Sequence, residues 1–101
     1  METTNLINNN ILEEFCRKYH IKKMSVFGSY LTDKFDVARS DIDLLAEFDK
    51  EYIPDLFSFS GMELELTEKL QRKIDLRTAG DISKFFRNDV LKDARIIYEQ
   101  E

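Results

Sequence analysis

Val26-Phe27-Gly28-Ser29, then eleven residues, then Asp41-Ile42-Asp43-Leu44-Leu45-Ala46-Glu47-Phe48, is the stretch on which the fold turns. The partly apolar run Lys22-Lys23-Met24-Ser25-Val26-Phe27 stops at a glycine, as a strand entering a tight turn does. Residues 30–38 leave room for a short helical stretch and a loop. Ser40 to Phe48 reads as a second strand. Ile42, Leu44 and Ala46 share one face, and Asp41 and Asp43 share the other.

Upstream, Ile7, Ile11, Phe15 and Tyr19 recur every fourth residue within 5–19, which predicts an amphipathic helix. Downstream, Pro54 precedes a helical pattern over 55–70, with Leu56, Phe59, Met62, Leu66 and Leu70 as its stripe and Gly61 inside it. Lys73-Ile74-Asp75-Leu76-Arg77-Thr78 is a third strand. Its Ile74 and Leu76 lie on one face, and Asp75 and Arg77 on the other. Gly80 closes it. Ile82, Phe86, Val90, Ala94 and Ile97 then predict a last helix over 82–98, capped by Asp81 or Ser83. Helices alternating with strands make this an α/β chain with a small sheet, read as a single domain over 1–101.

Composition narrows the function classes. The chain has 101 residues, 43% hydrophobic and 35% charged, as expected of a globular domain with a modest core. A net charge of −5 argues against a protein built to grip nucleic acid, which needs a basic surface. It leaves room for a single nucleotide, whose phosphates need only a local positive field. Cys16 is the sole cysteine, so an intrachain disulfide is excluded, and its place in a helical pattern predicts a buried structural thiol. No apolar run approaches the roughly 20 residues that span a membrane. METTNLINNN lacks the basic and apolar regions of a secretory signal, so the expected location is cytoplasmic.

The chemistry concentrates on the acidic strand face. Two aspartates pointing the same way repel, and neither is cheaply buried without a partner. A hard divalent cation resolves both problems. Mg²⁺ takes oxygen ligands, typically one or two carboxylates plus substrate phosphates. Asp75 offers a third carboxylate or a base for an attacking hydroxyl. Gly28 lets a phosphate approach the backbone, while Ser29 and the following N–H groups can donate to it. In-line displacement at phosphorus, with two metals about 4 Å apart, is the reaction that needs this set. Taken alone, Gly28-Ser29 is an ordinary turn and cap, Asp41 and Asp43 a solvated strand end, and Asp75 a common carboxylate. The conjunction is expected in roughly one chain per thousand of this length.

These residues resemble the signature of the DNA polymerase beta-like nucleotidyltransferases. With Arg72-Lys73-Ile74-Asp75-Leu76 downstream, they resemble most the minimal nucleotidyltransferases, over about residues 5–98. The resemblance implies a palm-like α+β fold, a small mixed sheet flanked by helices. It implies ATP as substrate, two Mg²⁺ ions, and metal ligation by Asp41 and Asp43 with Asp75 as the third carboxylate. Small domains of this kind are often antitoxins that transfer AMP to a tyrosine of a HEPN-domain toxin, as a hetero- or homo-oligomer. An inactive relative that neutralises its partner by binding is the alternative. The segment after Gly28-Ser29 departs from the usual arginine and glycine, reading Tyr30-Leu31-Thr32-Asp33-Lys34, so Lys34 and Arg39 are the charges left to compensate.

His20 falls at a helix end, where a cation is favourable, and is assigned no catalytic or metal role. Lys22 and Lys23 read as solvated. Phe35, Phe57 and Phe59 divide between a core and a partner-surface reading.

Overall fold

The computed structural model describes residues 7–36, 38–81 and 87–100. Helix α1 spans Asn9–Lys18, strand β1 Ile21–Phe27, strand β2 Ile42–Phe48, helix α2 Leu56–Leu70, strand β3 Ile74–Arg77, helix α3 Arg87–Asp93 and strand β4 Arg95–Glu99. Short 3₁₀ turns occupy Gly28–Leu31, Lys50–Tyr52 and Ala79–Asp81. The four strands form one mixed sheet in the order β3-β2-β1-β4. β1 pairs antiparallel with β2 and with β4, whereas β2 and β3 run parallel.

Alternation along the strands sorts the side chains. Met24, Val26, Ile42, Leu44, Ala46, Ile74 and Leu76 are buried, in one cluster with Leu12, Phe15 and Cys16 of α1 and Met62, Leu66 and Leu70 of α2. α1 and α2 therefore cover one face of the sheet, and Asp43 and Asp75 lie on the other. Cys16 is fully buried, and burial pushes its thiol pKa up to about 12, which makes it an inert structural residue.

Asn8 starts α1: its side-chain oxygen accepts from the N–H of Asn10 at 2.9 Å and of Ile11 at 3.1 Å. Asp55 caps α2 by accepting from the Ser58 N–H at 2.7 Å. The stripe expected on α1 is rotated in part. Phe15 and Ile7 are buried as expected, but Leu12 and Cys16 are buried where Ile11 and Tyr19 are only half-buried. At the start of α2, Leu56 is 81% exposed and Phe57 90% exposed, so the expected stripe begins in solvent, touches the core in part at Phe59 and is buried from Met62. Phe35 and Phe59 pack partly against the core.

The largest correction concerns the C-terminal end. A helix over 82–98 was expected, but α3 ends at Asp93 and the chain returns as β4. Arg95-Ile96-Ile97-Tyr98-Glu99 is rich in β-branched and aromatic residues, and pairing with β1 outweighs the helical spacing that Ala94 and Ile97 happen to continue. The expected start of that helix, including Ile82, Ser83 and Phe86, lies outside the described residues. Asp81 belongs to the preceding 3₁₀ turn.

One ionic cluster ties α1 to α2. The Tyr19 hydroxyl donates to Glu65 Oε1, and Lys18 Nζ and Lys69 Nζ stand 3.0 and 3.2 Å from Glu65 Oε2. Burial raises the Glu65 pKa, but the hydrogen bonds from Tyr19, Lys18 and Lys69 outweigh it and hold the carboxyl down at about 2, from an ordinary 4.5. Because the folded pKa is depressed, Glu65 stabilises the fold above the unfolded value, and that contribution drains away as pH falls towards 2. Glu65→Gln should therefore melt below the parent at neutral pH, with the two curves converging through the acid range. Thermal melts across pH check this.

Candidate active site

β1 ends at Phe27, opposite Asp43 on β2. The chain turns at Gly28 with φ +74°, in the left-handed region that favours glycine. A Cβ at Gly28 would collide with the Asp43 carboxylate, its Cγ only 3.2 Å away. The glycine thus makes space for Asp43, in addition to the phosphate approach expected of it. Ser29 lies in the four-residue 3₁₀ turn, where its carbonyl accepts from the Thr32 N–H and hydroxyl, each at 2.9 Å. So short a turn carries little of a helix's macrodipole. Anion binding at Gly28-Ser29 would rest on individual N–H groups and the serine hydroxyl.

The parallel pairing places Asp43 directly in register with Asp75. Burial raises the Asp43 pKa first; the charge and hydrogen bond of Asp75 and the charge of Asp41 raise it further, against the opposing pull of Arg77. The result is a carboxyl pushed up to about 6 from an ordinary 3.8. Asp75 is ion-paired with Arg77, whose Nε is 3.0 Å from Oδ1 and whose Nη2 is 3.4 Å from Oδ2. Asp41 sits one residue before β2, half-buried, with Lys73 Nζ at 4.0 Å.

The structure thus brings Gly28, Asp43 and Asp75 together and leaves Asp41 close enough to act on Asp43 by charge. Among the described residues, no three His, Cys, Asp or Glu side chains form a metal cage by themselves. The donor set nevertheless fits Mg²⁺. Two carboxylates face one another at the cost of a raised pKa, the missing side chain of Gly28 leaves room for one of them, and phosphate oxygens commonly complete such a shell. Lys34 and Arg39 are exposed on the loop between the turn and β2. The ion-pair partners Arg77 and Lys73 were not singled out from sequence. Arg77 was readable, because alternation puts it on the face of Asp75. His20 adopts φ 58° and stacks on Tyr52 with ring centroids 3.6 Å apart.

Two hollows open nearby, neither of them lined by Asp41, Asp43 or Asp75. An open one of about 650 Å³ adjoins Gly28 and is lined by Phe27, Leu31, Asp89 and Arg95 among others. A second, of about 440 Å³, lies along the sheet beyond Asp43, lined by Leu45, Phe48, Ile53, Leu91 and Ile96 among others.

The nucleotidyltransferase domain family matches residues 9–98. The chain belongs to this family. A candidate protein adenylyltransferase of Methanocaldococcus jannaschii is 37% identical to the nucleotidyltransferase domain over 75 residues, covering 74% of this chain and 70% of that protein. A second such protein of the same organism is 31% identical over 77 residues, covering 76% and 80%. Among solved structures, a toxin–antitoxin complex with AMP-PNP aligns with a TM-score of 0.73 at 19% identity, over 94% of this chain and 76% of that one. A tri-AMPylated HEPN toxin of Shewanella oneidensis in complex with its MNT antitoxin aligns at 0.67 and 19% identity, over 99% and 74%. At these identities the structural likeness establishes the shared fold. The expected α+β architecture with a small mixed sheet is the one observed, and the general activity of the domain is nucleotidyl transfer. No helix among the described residues is long and apolar enough to cross a membrane.

Proposed function

We propose that this nucleotidyltransferase moves AMP from ATP to a hydroxyl of a partner protein, a tyrosine of a HEPN-type toxin, and so acts as an antitoxin. The observation that carries the reading is the Asp43–Asp75 pair, in register on parallel strands with Gly28 against it. The kinship with candidate protein adenylyltransferases supports a protein acceptor. The fold shared with an AMPylated HEPN toxin's antitoxin supports the class of partner. Ile53, Leu56 and Phe57, each more than two-thirds exposed, form an apolar surface suited to a polypeptide.

In this reading Asp41, Asp43 and Asp75 would hold Mg²⁺, two ions in all, and Gly28 and Ser29 would hold the phosphates. The bound metal would offset phosphate charge and stabilise the oxygens entering and leaving phosphorus. The acceptor oxygen forms a bond to the α-phosphorus, the bond from that phosphorus to the α–β bridging oxygen breaks, and pyrophosphate departs. Asp75, oriented by Arg77, takes the hydroxyl proton. Incubation of the protein with ATP, Mg²⁺ and a HEPN-type toxin, followed by intact mass of both chains, tests this. The expected result is an added AMP on the toxin that is missing with Asp43→Ala. Protection against the toxin without added AMP would replace the reading with neutralisation by binding.

A further inference from the structure

β3 is an edge strand, and an edge strand leaves alternate backbone N–H groups without a sheet partner. Here those groups belong to Ile74 and Leu76, the residues on either side of Asp75. Both are met by side chains of α2. Thr67 Oγ1 accepts from the Ile74 N–H at 3.2 Å, and Glu63 Oε2 accepts from the Leu76 N–H at 2.8 Å, both partly buried. Glu63 and Thr67 are four residues apart and so share one helix face. One helical turn rises about 5.4 Å, close to the roughly 6.6 Å between alternate residues of a strand. α2 thereby stands in for a fifth strand along this edge. Asp75 is bracketed, with β2 holding its strand on one side and α2 on the other.

This matters because β3 is only four residues long and sets where the Asp75 carboxylate meets Asp43. A short edge strand frays unless its outer edge is tied. We propose that Glu63, seconded by Thr67, is a positioning residue that holds Asp75 beside Asp43 by binding the outer edge of β3 to α2. The inference rests on the reading of Asp43 and Asp75 as the nucleotide–metal site. A carboxylate accepting a backbone N–H makes a strong charge-assisted hydrogen bond, and the amide oxygen of glutamine can occupy the same place.

The test uses the full chain as parent, Glu63→Leu, Glu63→Gln and Thr67→Val. Two quantities are read: hydrogen exchange of the Ile74 and Leu76 amides, and the Mg²⁺ concentration giving half of the thermal stabilisation by ATP. Glu63→Leu should speed Leu76 exchange about tenfold relative to the Val26 amide and raise the Mg²⁺ midpoint about tenfold, as loss of supporting contacts around a metal site does. Glu63→Gln should bring both back to within about twofold of the parent. If Glu63→Leu does not fold, Thr67→Val carries the same comparison at Ile74. Unchanged exchange overturns the tie to α2. Faster exchange with an unchanged Mg²⁺ midpoint overturns the positioning role and leaves a structural edge cap. A parent that gains no stability from ATP with Mg²⁺ overturns the nucleotide reading itself, and the positioning role with it.

Discussion

Gly28→Ala is expected to cut nucleotidyl transfer by about 100-fold or more while costing about 1–2 kcal/mol of stability. The stability loss comes from placing a Cβ at φ +74°, in the left-handed region. The larger effect on activity has a different origin. The new methyl would occupy the place of the Asp43 carboxylate, with Cγ at 3.2 Å and Cβ at 3.4 Å. The neighbour that yields most readily is the carboxylate itself, so Asp43 swings away from Asp75 while the strand stays in register. A displacement of about 1 Å at a reacting centre suffices for a 100-fold loss. Gly61→Ala is the control. It lies inside α2 with nothing within 4 Å of the added Cβ, and should raise stability by about 0.5–1 kcal/mol with activity intact. Melting curves and initial rates on the two variants separate backbone strain from loss of the carboxylate.

Asp43→Asn should have the opposite effect on stability and a still larger one on activity. Transfer should fall by about 1,000-fold or more, since the amide cannot supply the negative charge that a metal and phosphate site requires. The metal-free fold should gain about 1–3 kcal/mol, the upper figure corresponding to the full pKa displacement and the lower allowing for solvent screening. The sign follows from the direction of the displacement. A carboxyl whose folded pKa is about 6 against an ordinary 3.8 is proton-rich in the folded state, so the fold loses stability as pH rises through that window. The parent should melt at progressively lower temperature from about pH 4 to pH 6, and Asp43→Asn should not follow it. Equal melting temperatures at neutral pH would mean that neither the burial of Asp43 nor the Asp75 and Asp41 charges penalise its ionised form.

The parts of this site that follow from local pattern were legible in the sequence. Glycine at the end of an apolar run, and aspartate alternating with isoleucine and leucine, fix a turn and a two-sided strand with no knowledge of the rest of the chain. The parts that depend on strand register were not. The contact between Gly28 and Asp43 needs β1 paired with β2, and the meeting of Asp43 with Asp75 needs β2 parallel to β3. The end of the chain misled for a related reason. Val90, Ala94 and Ile97 keep helical spacing, but Ile96, Ile97 and Tyr98 belong to a strand because β1 offers a free edge. Periodicity alone puts Leu56 in the core stripe and leaves Phe57 between a core and a partner-surface reading. Their exposure reflects the position of the first turn of α2, beyond the rim of the sheet it covers from Met62 onward.

The parallel pairing of β2 with β3 also orders events in time. Asp75 lies 32 residues beyond Asp43 (75 − 43), and the whole of α2 is threaded between them. A chain emerging from the ribosome presents the Gly28 turn and the first two aspartates well before their third partner has been synthesised. Closing that span is a long-range event, paid in loop entropy before any contact rewards it. The anionic pair is therefore born only when the crossover docks, and a truncated nascent product carries the front half of the site with no means of using it.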